Sequence, residues 1–428
     1  MLRALLGTRS RSTQGPRRCG SQRQRRLAYH FVVREYINCT ELRNPQYNAP
    51  VAGEELKADI LILSSAIGSG HMRASEAVVR GVGLLDPERT CSIIDFPHEV
   101  SPDVEHLLRS AYLGSLKLWP AAYGRIYRSS ESKTQPGSYR HVVERAGLKT
   151  LERLVENTRA RAFVAPHFYG AGVLGSYKER NPRAFAAVVL TDYVPHAIGV
   201  PPNLDLYVVA DEAAAEVVMK LGVPEKKIHP TGIPIDPAFE DPADLGGVRR
   251  DLLKLEDDDL PVVLVMGGGL GGGDLERAVS LLLETSAAMH LVVLCGSNER
   301  SRERLEKLAA KEGYSATFLA FTDRVRDLMA GATALVTKPG GMSCTEALAT
   351  GLPQVLYHPI PGQEEDNAAA MARYGAGVVV KTADEILGET LRILSSLDHR
   401  RRMVEAARVA HRPHSARAAA ELILGGLS

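Results

Sequence analysis

The sequence predicts an α/β protein built of two doubly wound, Rossmann-like parallel-sheet domains facing a cleft, and three observations predict it. Short aliphatic runs alternate with amphipathic helical stretches from about residue 56 to the C-terminus, the pattern of parallel sheets covered on both faces. Several runs end in glycine-rich turns that open a helix, the kind of connection that cradles phosphate. A polar, proline-containing stretch at 236–247 divides the alternation in two, and 428 residues is long enough for two domains but unusually large for one core. The expected divisions are 1–55, 56–242 and 243–428.

Residues 1–55 stand outside the alternation. Arg3, Arg9, Arg11, Arg17, Arg18, Arg23, Arg25 and Arg26 are interspersed with Ser and Gln, and no acid precedes Glu35. A transit peptide, a basic tail and an over-extended start all fit that composition. A disordered tail outside the fold is favoured, because nothing periodic supports packing. In the first domain, strands are expected at 60–65, 91–96, 162–165, 185–190 and 206–209. Helices are expected after the first strand and over 104–118 and 138–156. In the second domain, strands are expected at 262–266, 291–295, 316–320, 334–337, 354–357 and 377–380. The strand at 334–337 turns through Gly340 and Gly341 into a helix over 343–350, stopped by Gly351 with Pro353 just beyond. The last helix is free in this scheme to pack back on the first domain.

A formal charge of +1 does not point to nucleic acid. Cys19, Cys39, Cys91, Cys295 and Cys344 show neither a CxxC pair nor zinc spacing, which fits a reducing compartment. No uninterrupted apolar stretch approaches the length of a membrane span.

The chemistry-bearing residues fall where such a cleft would be lined. The unit at 334–350 leaves the first N–H groups of its helix aimed into the crevice, at the positive end of the helix dipole, an arrangement that suits a phosphate. Gly340 and Gly341 let a ligand approach, and Ser343 and Thr345 can add hydroxyl donors. Glu346, an acceptor only, matches the two hydroxyls of a ribose; equally, it complements the dipole of the first turn. The loop at 267–273, with Gly268 and Gly269, can wrap a pyrophosphate with backbone N–H groups. It lacks the Lys-Ser/Thr of a Walker loop and a ribose acid at dinucleotide spacing.

Gln363 and Glu364, in the polar segment that ends at Asn367, offer the donor and acceptor mix that discriminates sugar hydroxyls. Glu365 and Asp366 read as solvated first-turn acids. Opposite them, Gly70 and His71 follow the first strand. A histidine at a helix start has its pKa lowered by the dipole and is placed as a base, or else it caps the helix in solvent. Asp192 either orients His71, holds an acceptor, or is a turn residue, and His196 can bind beside it. The stretch at 109–128 interleaves Tyr112, Trp119, Tyr123, Arg125 and Tyr127 with further basic residues. It is a surface dipping into lipid headgroups or an ordinary packed helix. Asp257, Asp258 and Asp259 lie before the second domain's first strand, away from the cleft, and read as a solvated loop; no metal site is expected.

From about Asp59 onward the chain resembles the monogalactosyldiacylglycerol synthase and processive diacylglycerol glucosyltransferase group of glycosyltransferase family 28. The strings that carry this are SAIGSGHMRA (65–74), LTDYVPH (190–196), TGIPIDP (231–237), MGGGLGGG (266–273), TKPGGMSCTEAL (337–348) and PIPGQEEDNA (359–368). The resemblance implies a GT-B fold and a UDP-sugar donor, UDP-glucose or UDP-galactose, bound mainly by the second domain. It implies transfer of the hexose to 1,2-diacylglycerol with inversion, on a membrane surface. By motif, Glu346 would hold the ribose, Gly341 and Ser343 the diphosphate, Gln363 and Glu364 the sugar, and His71 would be the base. The Trp119 region falls where the family has its lipid-facing segment. Met342 and Cys344 depart from the family's expected small or aliphatic residues without disturbing the site. The resemblance further implies no cofactor, anionic membrane lipids as partners, and a cytoplasmic protein peripheral on the inner face of the plasma membrane.

Three other functions share parts of this pattern. One is an N-acetylglucosamine transferase acting on a polyprenyl-diphosphate lipid. Another is a UDP-N-acetylglucosamine 2-epimerase, which needs cleft carboxylates and no lipid surface. The last is a non-catalytic nucleotide-sugar-binding subunit, against which His71 and Glu346 in one chain speak.

Overall fold

A computed structural model describes residues 58–67, 69–106, 138–241, 245–255, 260–267, 273–296 and 299–427. The first lobe runs β1 (Ile60–Ser64), α1 (Ser69–Leu85), β2 (Cys91–Asp95), α2 (Ser138–Thr158), β3 (Ala162–Ala165), α3 (Phe168–Arg180), β4 (Phe185–Val189), β5 (Leu206–Val208), α4 (Glu212–Lys220) and β6 (Ile228–His229). The second runs β7 (Val262–Met266), α5 (Gly273–Glu284), β8 (His290–Leu294), α6 (Glu299–Glu312), β9 (Ala316–Leu319), α7 (Val325–Gly331), β10 (Ala334–Thr337), α8 (Gly341–Ala349), β11 (Gln354–Tyr357), α9 (Gln363–Tyr374), β12 (Gly377–Val380), α10 (Ala383–Ser395) and α11 (Leu397–Ala410). A last helix, α12 (Ser415–Gly425), follows.

Both sheets are parallel, in the orders β2-β1-β3-β4-β5-β6 and β12-β11-β10-β7-β8-β9. Strands such as β1 and β10 are buried along their whole length, because helices cover both faces. Strand order reverses beside β1 in the first sheet and between β7 and β10 in the second. Outside the carboxyl ends of those strands the connecting loops part and leave a crevice for a ligand. These are the places where His71 and the Gly340 turn stand.

Several boundaries differ from the sequence reading. β2 stops at Asp95, and Phe96 opens a short helix, Phe96–Val100, whose Pro97 already has the helical φ. α8 starts at Gly341, two residues earlier than the pattern suggests. Of the helix expected at 104–118, positions after 106 lie outside the described residues.

α12 crosses back to the first lobe, where Ala419, Ala420 and Ile423 join Val78, Val79 and Val82 under the sheet. A Cβ on Gly81 would lie 2.3 Å from the Ala416 carbonyl oxygen, so α1 and α12 touch backbone to backbone and only glycine fits. Ile423 is fully buried there, worth roughly 1.5–3 kcal/mol. The apolar core of the first lobe continues without a break into Met342, Cys344, Leu348 and Met371 of the second. Among the described residues no helix is long and apolar enough to cross a membrane.

Candidate active site

His71 is the third residue of α1, held over the end of β1. Its helix is pinned to the strand by Ser75, whose hydroxyl donates to the His71 carbonyl (2.8 Å) and accepts from the Ser64 hydroxyl (2.9 Å). Nδ1 of the imidazole lies 3.0 Å from the Pro166 carbonyl oxygen, just past β3. A carbonyl only accepts, so Nδ1 carries the proton and Nε2 keeps its lone pair. Thr191 Oγ1 sits 3.2 Å from the same nitrogen. Burial lowers the His71 pKa, opposed by the charge of Asp192 and the bond to Pro166. His167 meets the His71 ring edge-on, with centroids 4.8 Å apart, and burial with the neighbouring imidazole holds it well below the ordinary value. The pair is neutral at physiological pH, as a general base must be.

The second lobe presents α8. Cys344 N–H donates to the Gly340 carbonyl and closes the first turn, leaving the N–H groups of Gly341, Met342 and Ser343 without helical acceptors. The Thr345 hydroxyl donates to the Gly341 carbonyl (2.8 Å) and is buried, so it braces the turn rather than facing a ligand. Glu346 lies in the second turn and is only 3% exposed, which removes the reading that it complements the dipole of the first turn. Burial raises its pKa, and Arg73 opposes that. At the start of α9, Glu365 accepts from Gly362 N–H (2.9 Å), so it caps the helix rather than sitting loose in solvent. Glu364 accepts from Ile360 N–H (2.7 Å). Burial raises its pKa, while that bond and the charge of Lys338 lower it.

The two lobes meet along residues 191–193. Asp192 accepts from Gln363 Nε2 (2.6 Å) and from Asn367 Nδ2 (3.0 Å). Asn367, wholly buried, accepts in turn from Tyr193 N–H (2.9 Å), and the Tyr193 hydroxyl lies 2.9 Å from Thr345 Oγ1. Hydrogen bonds to a carboxylate of this kind are worth roughly 1.5–3 kcal/mol each. Gly341 packs directly under the Thr191 carbonyl, and Gly70 packs on Met342. Arg73 Nη1 completes the contact, at 2.9 and 3.0 Å from the two carboxylate oxygens of Glu346.

The structure therefore brings together His71, Asp192, Gly341, Thr345, Glu346, Gln363 and Asn367, with Gly70, Gly340, Ser343 and Glu364 beside them. Gln363 and Asn367 direct their amide N–H groups to Asp192. His196 stands a little apart, its Nδ1 accepting from Ile198 N–H to cap the turn Ala197–Gly199. Gly268, Gly269, Tyr112, Trp119, Tyr123, Arg125, Tyr127, the 257–259 triplet and the arginines of the first thirty residues lie outside the described residues. Sequence reasoning passed over Arg73, His167, Thr191, Tyr193 and Lys338. Of these, only Arg73, Thr191, Tyr193 and Lys338 fall inside strings already singled out, and that proximity was the one available signal.

Two Rossmann-like lobes with the carboxyl ends of their strands turned on one cleft define the GT-B class. Solved structures share that fold. MurG of Acinetobacter baumannii aligns with a TM-score of 0.57 at 14% identity, covering 86% of this chain and 99% of that one. UDP-GlcNAc 2-epimerase from Neisseria meningitidis aligns with a TM-score of 0.56 at 10% identity, covering 86% and 98%. Residues 71–235 match the family described as monogalactosyldiacylglycerol (MGDG) synthase, and residues 274–410 match glycosyl transferases group 1. The processive diacylglycerol beta-glucosyltransferase of Bacillus subtilis (strain 168) is 28% identical over 366 residues, covering 85% of this chain and 94% of that protein. Its namesake from Staphylococcus carnosus (strain TM300) is 28% identical over 332 residues, covering 77% and 82%. The chain is thus similar, in its first lobe and along most of its length, to the monogalactosyldiacylglycerol synthase and processive diacylglycerol glucosyltransferase group that its motifs resemble.

Proposed function

We propose that the protein is an inverting glycosyltransferase that moves a hexose from a UDP-sugar to 1,2-diacylglycerol. One observation carries this reading. A neutral imidazole with a free Nε2 stands on one lobe, directly across from a helix N-terminus and a buried carboxylate on the other. His71 Nε2 takes the proton of the acceptor hydroxyl as its oxygen bonds to C1 of the sugar. The bond from C1 to the β-phosphate oxygen breaks in the same displacement, so the anomeric centre inverts and UDP leaves with the electron pair. The open N–H groups at the start of α8, with Lys338 nearby, stabilise that departing charge, and no resident cofactor or metal is invoked. Glu346 accepts from the ribose hydroxyls. Gln363 and Glu364 lie next to where the hexose would sit, and backbone N–H groups of Gly268 and Gly269 serve the diphosphate.

Glucose is favoured over galactose because the relatives named above are beta-glucosyltransferases. The acceptor does not dissolve in water, so the enzyme works at a membrane surface. We place it on the cytoplasmic face of the plasma membrane, with Tyr112, Trp119, Tyr123, Arg125 and Tyr127 meeting lipid and the basic side chains meeting anionic headgroups. The test is to incubate purified protein with labelled UDP-glucose or UDP-galactose and vesicles containing diacylglycerol, then separate the lipids. Labelled glycosyl-diacylglycerol is the expected product. Label that stays in UDP-sugar, in free sugar or in an epimer would reject the reading.

A further inference from the structure

Arg73 is a charged group that the catalytic scheme above leaves unused. It reaches from α1 across the cleft and holds both oxygens of Glu346 through one nitrogen, Nη1. A guanidinium that binds a carboxylate well presents two nitrogens to two oxygens; this one does not. Its Nε is buried and has no hydrogen-bond partner. Native interiors rarely leave a buried donor unpaired, and an unpaired one calls for an explanation. Glu346 is itself almost wholly buried, so the pair is the charge neutralisation that lets the carboxylate stay ionised. The same carboxylate is the group offered to a ribose diol. Both the guanidinium and the diol need its oxygens, and the diol's hydroxyls can replace the N–H donors one for one.

We propose that Arg73 changes partners when a nucleoside diphosphate enters. The ribose diol takes over Glu346, and the released guanidinium turns to the diphosphate, where Nε and the terminal nitrogens all find phosphate oxygens. The diphosphate site is then completed from both lobes: backbone N–H groups of α8 from one, the Arg73 cation from the other. Closure of the cleft is tied to the presence of two phosphates, and a cation stands on the oxygen that gains charge as the sugar leaves. Arg73 is in this account a donor-binding residue supplied by the acceptor lobe. The inference rests on the UDP-sugar reading of the cleft and adds to it the exchange at Glu346.

Titration calorimetry of the full chain with UDP and, separately, with uridine tests it, using the wild type, Arg73→Gln and Arg73→Lys. Uridine reports the base and ribose contacts without the phosphates, so the ratio of the two dissociation constants isolates the diphosphate contact. In Arg73→Gln the preference for UDP over uridine is expected to fall on the order of tenfold to a hundredfold, the worth of a charge-assisted hydrogen bond. Arg73→Lys, which keeps the charge without the fork, is expected to fall between Gln and wild type. Wild-type protein that binds UDP, with a preference left intact in both variants, would overturn the Arg73 proposal alone. Equal weakening of UDP and uridine would do the same, since it would make Arg73 a support for the ribose pocket. Wild-type protein that fails to bind UDP would overturn the donor reading and this inference with it.

Discussion

Gly341→Ala separates the stability of α8 from the closeness of the lobes. A Cβ at this position would lie 1.9 Å from the Thr191 carbonyl oxygen, where side chains do not come nearer than about 3.0 Å. The carbonyl belongs to the backbone and the backbone fixes the Cβ, so no rotamer relieves the overlap and the lobes must part by at least about 1 Å. That displacement stretches the Asp192 and Tyr193 contacts, now 2.6–3.0 Å, past hydrogen-bonding range. Alanine meanwhile favours the helix itself by up to ~1 kcal/mol. Folding of the second lobe should therefore survive while His71 moves out of line with the donor. A misplacement of about 1 Å at the reacting groups costs on the order of a hundredfold in rate. The assay is kcat/KM for glycosyl transfer to diacylglycerol vesicles, with small-angle scattering to report lobe separation. Wild-type kcat/KM together with an unchanged radius of gyration would refute the reasoning.

Four further outcomes are expected. His71→Ala lowers kcat about a hundredfold to ten-thousandfold while calorimetry finds UDP affinity unchanged; equal loss of both removes His71 from the base role. Because burial holds His71 below its ordinary pKa, and the base acts as the neutral form, the acid limb of kcat/KM should fall below pH ~6.5; a limb above that value contradicts the assignment. Glu346→Ala weakens UDP about tenfold or more in the same titration, and an unaltered dissociation constant rejects the ribose contact. His290 is 4% exposed between Ser315 and Thr317, and burial lowers its pKa to about 4. The unfolded chain takes up that proton near pH 6.5 and the native state only near 4. Stability is thus full above ~6.5, and acidification to pH ~4 removes about 3 kcal/mol. His290→Asn should flatten that part of the dependence in denaturant titrations, and an unflattened curve would contradict it.

Much of the fold was legible because parallel strands buried on both faces leave continuous aliphatic runs. β7, β10, β11 and β12 begin and end where those runs do. The start of α8 was not, since glycine is a poor helix former and its place at Gly341 is set by the Thr191 carbonyl of the other lobe. The same limit governs the site. Glycine turns and first-turn donors are local, so Gly340, Gly341 and Ser343 could be singled out by neighbours in the chain. Arg73 meets Glu346 across 273 positions, and no local pattern marks that pairing. Gln363 shows the same difficulty from the other side. Its residue type suits a sugar, while its N–H group goes to Asp192, a contact that only the approach of the lobes creates.

A crystal structure of the protein soaked with UDP and a short-chain diacylglycerol tests the central claim most directly. The account expects ribose hydroxyls on Glu346, phosphate oxygens on the N–H groups at the start of α8, and His71 Nε2 within reach of the acceptor hydroxyl. UDP bound away from α8, or a diacylglycerol hydroxyl on the far side of the first lobe from His71, would contradict it.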